Sequence, residues 1–549
     1  MERNTVDEVL KRLDRLIEIG ISLSAEKDTN RLLESILLSA KQLTHADGGT
    51  IYTVTEDRTL KFEMLATDSL NIAMGGTTGN PIPFPPIPLY INGKANLGTI
   101  VSHAVLKGST INIPDVYATM DYDLSGTKAI DQNNNYHTRS LLTIPLKNHE
   151  GDIIGVLQLI NAMDGDQVVE FSRISQSVSE ALASQAAVAL TNKRLIDDMR
   201  TLFDSFTKLI ANAIDEKSPY TGGHCRRVPE LTMMLAEAVS QTNHGPLKDF
   251  TLDEADRYEL HVASWLHDCG KVATPEYVMD KATKLETIYD RIGLVEARFE
   301  IARRDVELDY YKQTLEAVKE GRESDIELYQ ELKETVLKTL DEQLEFLKTT
   351  NIGGEYLPDE AQQRVADIAK RTWIDCDGET RHLLENDEVT NLQIDRGTLN
   401  DDERKIINNH IVVTIEMLES LPFPKHLKNV PEYAGGHHEK MDGTGYPKGL
   451  KRDEMSIPAR VMAIADVFEA LTAADRPYKK PKRLSECLKI MGFMRKDQHI
   501  DGDLFDVFVD SGVYKKYAEE YLNADQIDDV NLDALVGYVP RHRRDTQIH

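Results

Sequence analysis

Cysteine is nearly missing from this chain of 549 residues, which holds four: Cys225, Cys269, Cys376 and Cys487, with no Cys-x-x-Cys pair among them. That leaves no plausible disulfide framework, and it fits a reducing compartment. Long apolar runs are missing too. No stretch approaches the roughly 20 residues that a membrane-spanning helix needs, and the opening MERNTVDEVLKRLDRL has no apolar signal core, so a cytoplasmic protein without a membrane partner is expected. Positive charge is in deficit, with 64 Lys and Arg against 92 Asp and Glu and a formal net charge of −28. A nucleic-acid polymer would be repelled by that field, although a small anionic nucleotide can still bind through a few local cations. Repeats and low-complexity tails are absent, and the length exceeds one ordinary domain, so a multidomain globular protein is expected.

What the chain does have is histidine beside carboxylate. His267 and Asp268 adjoin in WLHDCGKVATPEYVMDKATKL, and His437 and His438 adjoin in GGHHEKMDGTGYPKGL. Imidazole suits iron, manganese, nickel or zinc, and a carboxylate can bridge two such ions. Neighbouring residues on a helix point about 100° apart, so the members of each pair are expected to address different ions or different edges of one cluster, with Asp268 as the bridge. Two ions together can lower the pKa of a shared water and neutralise the oxygens of a phosphodiester. The reading is a metal-dependent hydrolase acting on a phosphodiester.

With those strings in place, the chain resembles the HD-GYP branch of the HD phosphohydrolases from about Ile214 to Leu522, with one insertion. The resemblance implies hydrolysis of cyclic di-GMP to pGpG or GMP. It places His224 of YTGGHCRRV first, then His267, Asp268 and Lys271 of HDCGK, His410 of ERKIINNHIVV, His437 and His438 before Gly445-Tyr446-Pro447, and Asp466 of ARVMAIADVFEAL. The first ion is assigned to His224, His267, Asp268 and Asp466, and the second to Asp268, His410, His437 and His438. Lys271 is the expected catalytic cation beside Asp268. Arg476 and Lys479 in ADRPYKKP are expected to contact substrate, a fork and a point charge suited to phosphate or a guanine edge; Tyr446 is a further candidate. Where part of the family carries a Glu in E-T-G-x-H, this chain has Tyr220, a poor ligand for a hard ion. Two divalent ions, iron or manganese, are therefore expected rather than three, unless Glu216 compensates. Two competing readings are an HD-type di-iron oxygenase and a catalytically weak cyclic-dinucleotide-binding protein.

Upstream, residues 1–24 have helical periodicity with Val6, Leu10, Leu13 and Ile17 on one face. Residues 25–181 resemble a GAF sensor domain: helix TNRLLESILLSAKQLTHA, strands GGTIYTVT and TLKFEMLA, then a hairpin through LLTIPL and GVLQLINA, and a helix from Phe171. Its ligand is an unidentified small molecule. From 182 to 213, rows at seven-residue spacing (Leu182, Ala189, Ile196, Phe203, Ile210 and Gln185, Asn192, Met199, Phe206, Ala213) predict a coiled-coil linker in a parallel homodimer. Residues 214–549 make the all-α catalytic domain. Its insertion at about 286–396 is charge-rich and predicted as an antiparallel helical hairpin turning near Gly321, with Ile288, Ile292, Val295 and Phe299 on the packing face.

Overall fold

The computed structural model describes residues 2–217, 223–354, 356–375, 377–474 and 481–539. It contains two compact units, Met1–Phe203 and Asp204–His549.

In the first unit Asp28 caps the helix Thr29–Thr44, accepting from the Arg31 amide at 2.8 Å. Leu32, Leu33, Ile36, Leu37, Ala40 and Leu43 recur at three- and four-residue steps and are all buried, the stripe that a helix lays on a core. Beneath it is an antiparallel sheet in the order Ile72–Gly75, Thr59–Thr67, Ala46–Val54, Ile153–Asp164, Leu141–Lys147, Ile111–Ile113. Ile51, Met64, Leu142, Ile144, Leu157 and Leu159 complete that core, each fully buried aliphatic stabilising by about 1.5–3 kcal/mol. Asn161, at a left-handed φ of 54°, is structural: its carboxamide accepts from Arg139 N at 2.7 Å and donates to Tyr136 Oη and His137 O, both at 2.9 Å. The proline-rich segment after Gly75 is pinned by Phe84 against Phe62, which packs on Tyr52.

The first helix spans Glu2–Ala25. Ile17 faces solvent, while Leu16 and Leu23 turn into the core; the side chains of Val6, Leu10 and Leu13 lie outside the described residues. A single helix, Arg173–Lys217, follows the sheet. Leu182, Ala183, Ala186 and Ala187 are buried in the first core, so the expected row through Leu182 does not face solvent at its start. Farther along, Ile196 and Ile210 of that row and Met199 and Phe206 of its partner row are exposed, and so is the row one residue earlier, Val188, Leu195, Leu202 and Leu209.

The second unit is helical. Its insertion forms the hairpin Ile292–Lys319 and Ile326–Asn351, turning at Gly321 with φ +72°. Val295 and Phe299 pack on Leu340 and Leu347, with Val365 and Ile368 from the helix Asp359–Ile368. Ile288 is a correction: it precedes the helix and is 96% exposed. A two-stranded ribbon, Thr372–Ile374 with Thr380–His382, also escaped the sequence pattern. Buried Lys284 donates to Leu392 O and Ile394 O at 3.1 and 2.7 Å, and burial pushes its pKa down to about 8 against the pull of Asp395. No described helix is long and apolar enough to cross a membrane.

Candidate metal centre

Five segments of the second unit bring the motif residues to one place. His224 opens the helix His224–Ser240 and His410 opens His410–Glu419. Asp466 projects from the middle of Ile457–Thr472. The two adjacent pairs sit where helices end. Glu254–Leu266 stops at His267, and Asp268 has left helical geometry at φ −107°, ψ 11°; the helix Val430–Gly435 stops just before His437. Each pair lies on a turn that lets both side chains face one centre, with His267 and His437 towards Asp268 and His438 towards His410.

Asp268 is the hub. Its Oδ2 lies 3.3 Å from His224 Nε2 and 3.4 Å from His267 Nε2; its Oδ1 lies 3.3 Å from His410 Nε2 and 3.9 Å from His437 Nε2. Asp466 Oδ1 is 3.2 Å from His224 Nε2 and 3.8 Å from His267 Nε2. His438 Nε2 stands 3.2 Å from His410 Nε2. Donor atoms thus gather in two groups that share one carboxylate: His224, His267 and Asp268, and Asp268, His410, His437 and His438.

The rings are oriented from behind. Nδ1 of His267, His410 and His437 meets the carbonyl three residues earlier, Ser264, Ile407 and Ala434, at 2.7, 2.5 and 2.6 Å. A carbonyl only accepts, so Nδ1 carries the proton and the Nε2 lone pair turns inward. His224 differs, because its Nδ1 pairs with the Glu469 carboxylate, which also accepts from Arg227 Nε at 2.7 Å. Sequence reading missed Glu469 and Arg227. The available signal was spacing, with Glu469 three residues after Asp466 and Arg227 three after His224, each on its partner's helix face.

The inward atoms pass a test for metal. Nε2 of His224, His267 and His437 and Oδ1 of Asp268 are buried without a hydrogen-bond partner among the described residues. Leaving four polar atoms unsatisfied at one spot costs about 1–3 kcal/mol each, a cost that a cation would remove. Imidazole nitrogen with carboxylate oxygen is a donor set that fits iron, manganese or zinc.

Electrostatics agree. Burial pushes the His437 imidazole down to about 4 and His438 well below its ordinary value, helped by the neighbouring histidines; burial also lowers His267. These rings are neutral and ready to coordinate. Burial would raise Asp268, but Lys271 and the surrounding histidines outweigh it and hold the carboxyl well below the usual range. For His224, burial is overcome by Glu469, Asp268 and Asp466, and its pKa is raised well above the ordinary one. A metal must displace that proton. Apparent affinity for the ion that His224 would hold should therefore rise by about tenfold per pH unit through the neutral range, one proton being released as that ion binds. Chelator competition at several pH values measures the slope; a flat profile would show His224 already neutral.

Close backbone approach shapes the site. A Cβ on Gly270 would overlap His410 O and the Thr414 amide, and Gly270 N donates to Thr414 Oγ1 at 2.9 Å, so the turn carrying Asp268 lies directly on the helix carrying His410. Gly435 and Gly436 are similarly tight against Ile415 and Ala459. In the Gly-Tyr-Pro loop, Glu439 accepts from Lys448 N and Leu450 N at 2.7 and 2.9 Å. The Tyr446 ring stacks on His438 with centroids 4.9 Å apart and planes at 16°, and burial pushes its phenol up to about 12. Tyr446 thus backs a candidate ligand.

Lys271 Nζ pairs with Asp268 Oδ2 from the 3₁₀ turn Cys269–Ala273. Burial opposes its charge, and Asp268 and Asp466 together hold the ammonium above its ordinary value. Tyr220, Arg476 and Lys479 lie outside the described residues. Glu216 is exposed at the end of its helix.

A helical unit with His and Asp donors gathered around one shared carboxylate defines the class, and comparison places it. Residues 386–504 match the HD domain family and residues 28–190 the GAF domain family, so the chain carries both domains. It is 41% identical over 113 residues to 3′3′-cGAMP-specific phosphodiesterase 1 of Vibrio cholerae, covering 21% of this chain and 25% of that protein. It is 43% identical over 79 residues to a cyclic di-GMP phosphodiesterase of Pseudomonas aeruginosa, covering 14% of this chain and 18% of that protein. For a cyclic di-GMP phosphodiesterase of Thermotoga maritima the identity is 39% over 93 residues, covering 17% and 25%. The shared region thus spans a quarter or less of those relatives, and within it the HD-GYP resemblance holds.

Proposed function

We propose that this chain hydrolyses a cyclic dinucleotide, cyclic di-GMP, to pGpG or GMP. The observation that carries the reading is the convergence of four unsatisfied buried donor atoms beside the Lys271 ammonium; the names of the relatives supply the substrate class. His224, His267, Asp268 and Asp466 would hold one divalent ion, and Asp268, His410, His437 and His438 a second, iron or manganese. Bound there, the pair would supply an acidified water and neutralise phosphodiester oxygens. The chain's own residues do the rest. The carbonyls of Ser264, Ile407 and Ala434 hold three imidazoles in register, and Lys271 supplies a positive charge beside the bridge, suited to meeting the 3′ oxygen as its bond to phosphorus breaks. Product analysis by chromatography, with purified metal-loaded protein and cyclic di-GMP, tests the reading: linear pGpG or GMP supports it. Intact substrate beside hydrolysis of a simple phosphodiester would sink cyclic di-GMP as the substrate, and an oxidised product would move the site to oxygen chemistry.

In the same reading the GAF domain takes an unidentified small ligand and controls hydrolysis through a parallel homodimer along Arg173–Lys217. Val188, Leu195, Leu202 and Leu209 repeat at seven residues with Met199 and Phe206 between, all exposed, the pattern of a coiled-coil seam. Leu202→Asp with Phe206→Asp would bury like charges at that seam. Sedimentation should show a wild-type dimer and a monomeric double variant; an unchanged dimer mass would place the contact elsewhere.

A further inference from the structure

A cavity of about 300 Å³ opens beside His410, between the turn Cys269–Ala273 and the helices Asp401–Asn408 and His410–Glu419. Of the candidate metal ligands, His410 alone is among its lining residues. Its volume is at the low end of small-ligand pockets, enough for one heterocycle and too small for a whole cyclic dinucleotide. Ala273 stands on the turn and Ile406 and Val413 on the helices, so the walls are apolar, and Ile406 is 38% exposed, an aliphatic side chain left open. Such walls suit the faces of a flat ring.

The polar groups are fewer and equally specific. The exposed Asn409 carboxamide offers a donor and an acceptor, and Lys405 brings a cation to the lining, held by Asp402 at 2.9 Å. An ammonium can only donate. Guanine presents two adjacent acceptors, O6 and N7, whereas adenine places an amino donor where O6 would be. His410 is both a candidate metal ligand and part of the cavity lining, so the cavity and the donor cluster share one residue.

We propose that this cavity is a guanine subsite, taking one base of a cyclic dinucleotide, with Lys405 and Asn409 reading its edge. The proposal rests on the phosphodiesterase reading above. Three substrates are compared on metal-loaded full chain: cyclic di-GMP, cyclic di-AMP and the base-free ester bis(p-nitrophenyl) phosphate. Wild type should prefer cyclic di-GMP to cyclic di-AMP. Asn409→Ala and the cavity-filling Val413→Phe should raise KM for cyclic di-GMP at least tenfold, and its turnover relative to the base-free ester should fall. Lys405→Ala should narrow the preference over cyclic di-AMP. Calorimetric binding of GMP gives a readout independent of turnover, weakened in the same variants. If wild type cleaves cyclic di-GMP and all three variants keep KM within twofold, the subsite is wrong and the function stands. If wild type cleaves the simple ester and no cyclic dinucleotide, the function falls, and GMP binding still decides the cavity: equal affinity in wild type and the exposed Asn409→Ala variant overturns it.

Discussion

Asp268→Ala is expected to empty both metal positions and to lower turnover by roughly 10³-fold or more, the scale on which loss of one fixed electrostatic partner is felt. The two carboxylate oxygens divide the site between them. Oδ2 faces His224 and His267, and Oδ1 faces His410 and His437, at 3.3–3.4 Å for the three nearer rings and 3.9 Å for His437. Among the described residues no other carboxylate belongs to both donor groups. Replacing it by a methyl group also leaves the partly buried Lys271 ammonium without its nearest counter-charge, with Asp466 as the remaining anion that holds it. The variant should therefore be less thermostable as well as metal-poor. Elemental analysis beside a melting curve separates the two effects. Full activity with two bound ions in Asp268→Ala would remove Asp268 from the centre of this mechanism.

The residues of the centre were legible because coordination restricts residue type. Only a few side chains can hold a transition metal, and paired His-Asp and His-His strings are rare enough to stand out. Their geometry was less legible. Whether His267 and Asp268 diverge or converge depends on where the helix stops, and it stops at Leu266, a boundary set by packing of the following turn, through Gly270, on the helix of His410. The linker shows the same limit. Leu195 and Ile196, Leu202 and Phe203, and Leu209 and Ile210 are adjacent apolar pairs, so two heptad rows fit the sequence equally well. Burial of Leu182, Ala183, Ala186 and Ala187 in the first core turns the start of the expected row inward, while farther along residues of both rows are exposed, Leu195 with Ile196 and Leu209 with Ile210. Ile17 and Leu16 exchange places for a similar reason, one residue of phase being invisible until a partner surface fixes it. Inside the insertion, the helix Asp359–Ile368 and the short ribbon carry too few apolar positions for periodicity to register.

Glu469 was hidden because a glutamate on an amphipathic helix ordinarily reads as solvent-facing, yet it is 1% exposed. Its carboxylate joins His224 Nδ1 to Arg227 Nε, and burial, which would raise its pKa, is outweighed by His224 and then Arg227, so it is held ionised below its usual value. An anionic partner behind a ligand imidazole raises ligand basicity more than a neutral carbonyl does, and among the oriented rings His224 is the one with such a partner; the other three rest on carbonyls. Glu469→Gln keeps the shape and the acceptor oxygen and removes the charge. It should weaken the ion held by His224 and His267 by about 10–100-fold, while the ion held by His410, His437 and His438 stays. Stepwise chelator titration of the loaded protein reads the two affinities separately, and Glu469→Asp should recover part of the loss if the charge is what matters. Equal weakening of both ions would make Glu469 a general packing residue, and unchanged affinities would show that its charge never reaches the metal.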